Sequence, residues 1–212
     1  SLLDLEAAAA NIGRSASAAK GSLSLGAAPF AAAELLPQAI AAYALRDPHL
    51  HVRLIDADGA RLVDMVQSGE VDVAVSAVLH EAPGVERALL ARFRLALIRA
   101  ADLPADLPGE VRWSDVAAQR LVGFPRDYPI QQLIDEQLTR AGRHAPPDVI
   151  CNYLETQIAM VEVGSGVAVV PTFAAPACAK RRITLHSIVD PVVTSDLYWM
   201  ASRARKLSGA AQ

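Results

Sequence analysis

The sequence predicts an α/β protein built as two lobes, each with a mixed sheet flanked by helices. Segments with the period-two pattern of strands alternate with segments of helical period along almost the whole chain. In addition, MVQSGEVDVAV from Met65 is nearly repeated as MVEVGSGVAVV from Met160, and each copy has the pattern of a helix end, a glycine and a buried strand. A plan that occurs twice predicts two lobes, and the cleft between them is a place for a small molecule to bind.

The composition is that of a folded chain and excludes several classes of protein. The 212 residues are 52% hydrophobic and only 5% aromatic, and the net charge of −3 disfavours nucleic-acid binding by this piece alone. No apolar run is long enough to cross a bilayer and no signal peptide is recognisable, so a cytoplasmic location is expected. The two cysteines, Cys151 and Cys178, are predicted to be small buried side chains rather than a disulfide or a zinc site.

The first part of the chain begins with an Ala-rich helix tail and then alternates between the two periods. Gly69 ends the second full helix, because helices commonly stop at a glycine in the left-handed conformation. The apolar run after it is typical of a parallel strand covered on both faces. The predicted elements are a helix tail at 1–20, strands at 21–28, 50–56, 71–78 and 87–100, and helices at 31–48 and 61–69.

A loop rich in Pro and Asp at 101–111 interrupts this pattern and indicates a lobe boundary. Beyond the loop the alternation restarts, and it ends in two consecutive strands. The predicted elements are strands at 120–124, 147–153, 166–171, 182–189 and 195–203, and helices at 129–142, 154–164 and 172–181. The second lobe is therefore expected to repeat the plan of the first.

Three phrases, in this order and spacing, resemble the effector-binding domain of LysR-type transcriptional regulators. They are LLP…Y…DPHLHVRL at 35–54, L…MVQSGEVDVAV at 62–75 and MVEVGSGVAVVP at 160–171. The ending LYWMASRARKLSGAA, from Leu197, resembles the final strand and last helix of the family. The resemblance covers essentially the whole chain, and residues 1–20 match the end of the family's linker helix.

The resemblance implies a type 2 periplasmic-binding-protein fold, whose two lobes are joined by two crossing strands. These strands would lie near 99–101 and near 193–197. Lobe I would comprise 21–99 plus 196–212, and lobe II would comprise 100–195. In the family, DNA is bound by an N-terminal winged helix-turn-helix, which is absent from this sequence.

In lobe I the resemblance places ligand contacts in the loops at the strand ends that face the cleft. Relatives often carry Ser or Thr near Pro29, and this chain has neither there, so we expect an apolar wall whose polar groups are backbone N–H groups at a helix start. The alternatives are that Phe30 packs inside the lobe, that Asp58 caps the next helix, and that His80 is an ordinary surface residue. The implied contacts are Ala28, Pro29, Phe30, Asp58, Gly59 and His80.

The opposite wall comes from three loops of lobe II. Arg126 is a candidate partner for an anion, although Asp127 or solvent would also satisfy it. Tyr128 precedes Pro129, a good first residue for a helix, and Thr172 has the position of a helix cap. The implied contacts are Phe124, Pro125, Arg126, Tyr128, Tyr153, Thr172 and Phe173.

The function implied by the resemblance is sensing without catalysis. A small molecule, expected to be a partly apolar carboxylate, would bind between the lobes and shift the conformation of a homodimer or tetramer. The helix at 60–67 is the candidate for one dimer contact. The alternative is an ordinary helix whose inner face packs on the core and whose outer face is exposed to solvent. DNA would be bound only through the absent N-terminal domain, and no cofactor, metal or membrane partner is expected.

Two other classes of function stay open at this point. A solute-binding protein of a transporter shares the fold, although the helical segment at 1–20 disfavours it because such a protein would begin near the first strand. An enzyme would need a catalytic pair in the cleft, and the sequence contains no GxSxG, HExxH, P-loop or GxGxxG motif. A turnover assay separates the enzyme from the two binding proteins.

Overall fold

The structure is a computed structural model that describes residues 22–45, 47–49, 51–77, 81–103 and 108–203. The described chain forms two compact units: unit 1 runs up to Arg92 and resumes at Asp196, and unit 2 is Phe93–Ser195. The lobe boundaries expected from the sequence, at residues 99 and 195, stay a prediction. The expected linker helix at 1–20 lies outside the described residues.

The elements alternate between strand and helix, as the sequence predicts. The first are β1 (Ser22–Ala27), α1 (Pro29–Glu34), α2 (Leu36–Ala44), β2 (His51–Asp56), α3 (Gly59–Ser68), β3 (Val73–Ser76) and β4 (Val85–Ala100). The next are β5 (Glu110–Arg112), α4 (Trp113–Ala117), β6 (Val122–Gly123), α5 (Pro129–Arg140), β7 (Val149–Ile150) and α6 (Leu154–Glu162). The last are β8 (Ala168–Pro171), a 3₁₀ turn (Thr172–Ala174), α7 (Ala175–Ala179), β9 (Ile183–Val189) and β10 (Thr194–Ser202).

Unit 1 is built on a parallel sheet in which β1 lies between β2 and β3. Ala27, the last residue of β1, pairs with Asp56 of β2 and with Val75 of β3. On the far side of β3 the neighbour is β10, which runs antiparallel, so that Trp199 pairs with Val75. Because three parallel strands finish together, the loops that follow β1, β2 and β3 start at one edge of the sheet.

The helix predicted at 31–48 is two helices, and that prediction is therefore wrong in its continuity. The chain breaks at Leu35, between α1 and α2, and Pro37 lies in the first turn of α2. Proline has no N–H to donate to the preceding turn and its ring crowds that turn, whereas it is tolerated at the start of a helix. Pro37 therefore begins a new helix instead of continuing the first.

Helix α3 covers the unit 1 sheet with one apolar face. Leu62, Met65 and Val66 are buried against a cluster that includes Ala74 of β3 and Met200 of β10. The exposed residues between them are polar, so the helical period seen in the sequence corresponds to the buried face. By the transfer scale of about 25 cal/mol per Å², each of these buried side chains stabilises the unit by roughly 1.5–3 kcal/mol.

Unit 2 combines antiparallel and parallel pairs. The second half of β4 lies between β8 and β9, both antiparallel to it, and β5 extends the sheet parallel to β9. Strands β6 and β7 form a separate parallel pair, which is shorter than the strands predicted at 120–124 and 147–153. A parallel bridge between Leu121 and Val167 places β8 next to this pair. The chain ends of β6, β7 and β8 therefore share one edge of unit 2.

The segment after the Pro-rich loop contains two elements that the sequence analysis missed. Residues up to 111 were expected to be loop, but β5 and α4 occupy 110–117. The backbone N–H of Arg112 donates to Asp115 at the start of α4, and the Trp113 indole N–H donates to the Pro191 carbonyl over 3.0 Å. Elements of three and five residues are too short to show a period, so they are defined by a local cap bond, by the distant Trp113 contact and by the pairing of β5 with β9.

The repeated phrase has the structure that the sequence predicted. Gly69 ends α3 with a φ of 77°, and Gly164 follows α6 with a φ of 80°. Both conformations lie in the left-handed region, where glycine is favoured. The strands that follow, β3 and β8, are fully buried. The resemblance between the two phrases therefore reflects the same local structure in each unit.

An ion pair joins the two strands in which the chain changes unit. The Arg92 guanidinium of β4 donates to both carboxylate oxygens of Asp196 in β10, over 2.6 Å and 2.8 Å. These bonds hold the pKa of the Asp196 carboxyl below its usual value. The Tyr198 hydroxyl also donates to Asp196, over 3.3 Å, so the carboxylate is fixed from two directions.

Candidate functional site

Backbone hydrogen bonds hold together the loops at the strand-end edge of unit 1. The Ala28 N–H donates to the Val75 carbonyl over 3.1 Å, and the Ala57 N–H donates to the Ala27 carbonyl over 3.0 Å. The residues after β1 and β2 are thereby fixed beside the end of β3. Two groups of predicted contacts, at 28–30 and 58–59, start from this edge, and the third predicted contact, His80, lies outside the described residues.

The stretch Ala28, Pro29 and Phe30 presents no polar side chain, as expected. Ala28 and Pro29 are half-buried, and Phe30 is buried with only 7% of its surface exposed. The packing role considered for Phe30 therefore agrees with its environment. The helix that begins here, α1, has only six residues, so the expected row of N–H donors at a long 31–48 helix is reduced to one short turn.

Asp58 is a helix cap, which is the structural alternative that the sequence left open. Its carboxylate accepts a hydrogen bond of 2.8 Å from the Arg61 backbone N–H at the start of α3. This geometry satisfies one of the N–H groups that a helix leaves without an internal partner. The carboxylate is exposed, so the cap does not itself prevent a further contact.

One buried polar side chain, that of Ser76, lies at this edge, and the expected apolar wall stays a prediction. This residue ends β3, is 3% exposed, and its hydroxyl donates only a long 3.3 Å bond to the Ala77 carbonyl. A Cβ built on Gly59 would lie 3.4 Å from the Ser76 Oγ, so the two positions are neighbours. The sequence signal was a single serine in an otherwise apolar strand, VAVS, and it was overlooked.

In unit 2, the loop after β6 forms a compact turn around two aromatic rings. The Phe124 and Tyr128 rings stack with centroids 5.4 Å apart and an angle of 19° between their planes. The Tyr128 N–H donates to the Pro125 carbonyl over 3.1 Å, which closes the turn. The Phe124 N–H donates to the side chain of Gln131 over 2.9 Å. Four predicted contacts, 124–126 and 128, thus belong to one rigid turn.

The guanidinium of Arg126 is engaged by the protein, although its partner differs from the one expected. Asp127 was the alternative partner considered, but the Arg126 Nε lies 3.8 Å from an Asp135 carboxylate oxygen in α5. Its Nη2 donates a long 3.4 Å bond to the His144 carbonyl. The side chain is 62% exposed, so both contacts are weak and solvent competes with them.

The loops after β7 and β8 contribute the remaining predicted contacts. Tyr153 precedes α6 and is 56% exposed, which is high for an aromatic side chain. Thr172 is the first residue of the 3₁₀ turn and Pro171 holds the cap position, so Thr172 does not stand where a cap residue would. The Phe173 ring packs edge-on against Phe93 with centroids 4.7 Å apart. Among the described residues, no hydrogen bond of the Tyr153 or Thr172 side chain is seen.

A buried residue near this edge was not predicted from the sequence. Gln157 in α6 is completely buried, and its amide nitrogen and oxygen both lack a hydrogen-bond partner among the described residues. Its sequence signal was a polar residue at a position where the helical period calls for an apolar one. Among the described residues, no group of three or more His, Cys, Asp or Glu side chains is arranged to hold a metal ion.

A family model described as the LysR substrate binding domain matches residues 16–212. The chain belongs to the LysR substrate-binding-domain family. The resemblance seen in the sequence phrases is thereby confirmed, and so is the expected fold. The family match supports an effector-binding domain over the solute-binding protein of a transporter.

Known relatives of this LysR-family chain are distant in sequence but close in fold. It is 22% identical to the uncharacterized HTH-type transcriptional regulator YbhD of Escherichia coli strain K12 and 26% identical to the hydrogen peroxide-inducible genes activator of Dickeya chrysanthemi. The matches cover 91% and 75% of this chain but only 61% and 52% of those proteins. The solved effector-binding domain of QuiR in complex with shikimate superposes with a TM-score of 0.77 at 16% identity, covering 86% of this chain and 88% of that one.

The two cysteines of this LysR-family domain are buried, as predicted, and neither forms a disulfide. Burial raises the pKa of the Cys151 thiol. Burial also raises the pKa of the Cys178 thiol, and the nearby Arg181 opposes the rise only in part. The thiolate is the reactive form of cysteine, so both thiols are poor nucleophiles at neutral pH. Within the described part of the chain, no helix is long and apolar enough to cross a membrane.

Proposed function

We propose that this chain is the sensing part of a LysR-type transcriptional regulator and that a small-molecule effector contacts strand-end residues in both units. The observation that supports the proposal is the clustering of the family's ligand positions. They follow β1 and β2 in unit 1 and β6, β7 and β8 in unit 2, where parallel strands finish. Loops at the carboxyl ends of parallel strands are the usual ligand sites of open α/β sheets.

The chemistry of these positions favours binding over catalysis. The carboxylate of Asp58 caps a helix, and the guanidinium of Arg126 faces Asp135. The Cys151 thiol, which follows β7, is kept protonated by burial. Each of these groups therefore has a structural role or lacks the activation that a nucleophile or base requires. We propose that the effector binds and leaves unchanged.

The effector is proposed to be a small, partly apolar molecule with a carboxylate. The half-buried ring of Tyr128 and the ring of Tyr153, which is 56% exposed, offer aromatic surface at the strand ends of unit 2, whereas Phe30 and Phe124 are buried behind their loops. Among the predicted contacts that the structure describes, Arg126 carries the positive charge. Its contacts with the protein are weak, so its guanidinium is able to turn towards an anion. A short aromatic or branched acid matches this combination.

The signal is proposed to be a population shift in an oligomer. An effector can bias two conformations only by its difference in affinity for them, and a ratio of about 10⁴ would be needed to reverse a 1:99 equilibrium. The outer face of α3, with Arg61 and Asp64 exposed, is the proposed dimer contact. DNA would be bound by a part of the regulator outside this sequence, and the cytoplasmic location stays a prediction.

Thermal-shift screening of small carboxylic acids tests the proposal. A bound effector at 100 times its dissociation constant should stabilise the domain by about 2.7 kcal/mol. For any hit, Arg126→Ala should reduce the shift, because the anion loses its cation. Arg181→Ala is the matched control, since Arg181 is also partly exposed and bonded to an acidic partner, Glu162, within 2.9 Å.

The outcomes separate the function from the effector class. If carboxylates fail and only neutral or cationic compounds stabilise the chain, the proposed carboxylate is wrong and the sensing role stands. If Arg181→Ala reduces the shift as much as Arg126→Ala does, Arg126 does not contact the effector. Sustained turnover of any hit would contradict the binding role itself.

A further inference from the structure

The amide of Gln157 is an exception among the buried glutamines of unit 2. Gln131 is equally buried, but its oxygen accepts from the Phe124 N–H over 2.9 Å and its nitrogen donates to Asp135 over 2.7 Å. Gln157 is fully buried, and both of its amide atoms lack a partner among the described residues. A buried amide without partners destabilises the fold, whereas an apolar side chain of similar size would not. Its presence therefore requires a reason other than stability.

The position of Gln157 places this amide just beneath the strand-end edge. Helix α6 connects β7 to β8 and packs against β6 and β8. A helix that joins two parallel strands runs antiparallel to them, so α6 starts at the edge where Phe124 and Thr172 lie. Gln157 is one turn from that start, and helical side chains lean towards the N-terminus of their helix. From this general lean we infer that the amide of Gln157 lies on the side of the buried face nearer the first turn of α6.

The first turn of α6 adds polar groups of its own. The nine-residue helix has no side-chain cap at Tyr153, so the backbone N–H groups of its first residues have no cap acceptor. Glu155 in this turn contributes a negative charge, which disfavours an anion at the same place. A neutral polar group is therefore the better ligand for this turn.

The Gln157 carboxamide restricts the chemistry of the ligand further, because its nitrogen needs an acceptor and its oxygen needs a donor. A carboxylate would satisfy the amide nitrogen and leave the oxygen unbonded, whereas a hydroxyl or a carboxamide can satisfy both atoms. We propose that Gln157 and the first turn of α6 form a polar subsite that binds a neutral hydroxyl or carboxamide group of a small molecule. The inference rests on the proposed function and deepens it: the effector carries such a group in addition to its carboxylate.

The ligand reaches the amide past Leu154. Leu154 lies three residues before Gln157 on the same buried face of the helix and is the next side chain towards the edge. Binding at the subsite therefore includes a movement of one leucine side chain. This requirement makes the subsite selective for molecules small enough to enter beside it.

Nuclear magnetic resonance of the 212-residue chain gives a direct test. The side-chain amide resonances of Gln157, assigned by their loss in Gln157→Met, are followed during titration with shikimate, which carries hydroxyls, and with acetamide. Benzoate, which has neither group, is the negative probe. We expect saturable shifts of the Gln157 amide with shikimate and acetamide and none with benzoate. The amide of Gln131, already bonded on both sides, is the internal control.

The variant provides a second measurement. Gln157→Met should raise the melting temperature of the unliganded chain, because it removes the unpartnered amide, and should weaken shikimate binding about tenfold. Gln131→Met should lower the melting temperature. The absence of a saturable Gln157 shift with both probes, or an equal loss of stability in the two variants, overturns the subsite. If shikimate shifts the backbone amides of Phe124 or Ala28 and not the Gln157 side chain, the subsite fails while the proposed function stands. If neither shikimate nor acetamide shifts any of these resonances, the subsite fails, and the thermal-shift screen of carboxylic acids decides the proposed function separately.

Discussion

Replacing Gly166 by alanine should destabilise unit 2 far more than the same change at Gly164, although both glycines stand in one GSG phrase. Gly164 has a φ of 80°, and a Cβ there would meet nothing within 4 Å. Only the left-handed conformation opposes the change, and it costs about 1–2 kcal/mol for an L-residue. Gly164→Ala therefore serves as the matched control.

At Gly166 the conformation and the surroundings both oppose a side chain. The φ is 153°, and a Cβ would lie 2.5 Å from the carbonyl oxygen of Arg120. That oxygen cannot move freely, because it accepts the Val167 N–H over 2.9 Å and the Val167 carbonyl accepts the Val122 N–H over 2.8 Å. Backbone strain of about 1–3 kcal/mol and a weakened bond of about 1 kcal/mol predict a total loss of roughly 3 kcal/mol.

Urea unfolding, followed by the fluorescence of the buried Trp113, measures the free energy of unfolding of unit 2. Trp199, in unit 1, is replaced by Phe in all variants so that only one indole reports. Gly164→Ala should reduce this free energy by about 1–2 kcal/mol and Gly166→Ala by roughly 3 kcal/mol. In thermal melts of the same variants, at roughly 2–4 °C per kcal/mol for a chain of this size, these losses correspond to about 2–8 °C and about 6–12 °C. Equal losses in the two variants would refute the argument from the Arg120 contact.

Three further predictions concern side chains whose roles the structure assigns. In urea titrations, Asp58→Ala should reduce the free energy of unfolding by about 1 kcal/mol. Asp58→Ser can still cap α3 and should therefore lose much less stability. Equal losses in the two variants would contradict the cap. The Leu121 N–H and then Arg143 hold the pKa of Asp148 below its usual value, so its contribution to stability is present above about pH 4 and fades as the pH falls further. The difference in urea midpoint between the native chain and Asp148→Asn should therefore shrink between pH 6 and pH 3, and a constant difference would show that the ionisation of this carboxyl does not contribute to stability. Cys151 and Cys178 should react with a thiol reagent in the native chain much more slowly than after unfolding, because both are buried and protonated; fast labelling at neutral pH would contradict this.

The sequence was most informative where a local pattern and the tertiary fold require the same thing. The glycines after α3 and α6 and the apolar strands behind them were predicted because a left-handed helix stop and a doubly covered strand each leave a short signature. The long strand β4 was also predicted, over residues 87–100, and its last six residues form a continuous buried run. Patterns of this kind depend only on near neighbours in the chain.

The errors occur where distant residues or single polar atoms decide the outcome. The break at Leu35 depends on Pro37, whose effect on the preceding turn was not weighed against the helical period around it. The three residues of β5 are a strand because β9 lies beside them. Nothing near Arg126 in the chain indicates that Asp135, nine positions later, faces it across the start of α5.

The position of the ligand site stays a prediction. The resemblance to the family named loops that do follow the parallel strands in each unit. Ser76 and Gln157 were missed because each is one polar residue in an otherwise apolar element. A single exception does not change the apolar period from which the element is predicted. Whether its polar atoms have partners is visible only when the surrounding side chains are in place.

The interleaving of the two units has a consequence for biosynthesis. Unit 2 is continuous, whereas unit 1 is completed by β10, which pairs with β3 only after Asp196 and the residues behind it have left the ribosome. During translation, the edge of β3 that pairs with β10 therefore stays unpaired while the whole of unit 2 is synthesised. We expect the nascent chain to acquire a folded unit 2 first and to need shielding of the β3 edge until the last strand arrives.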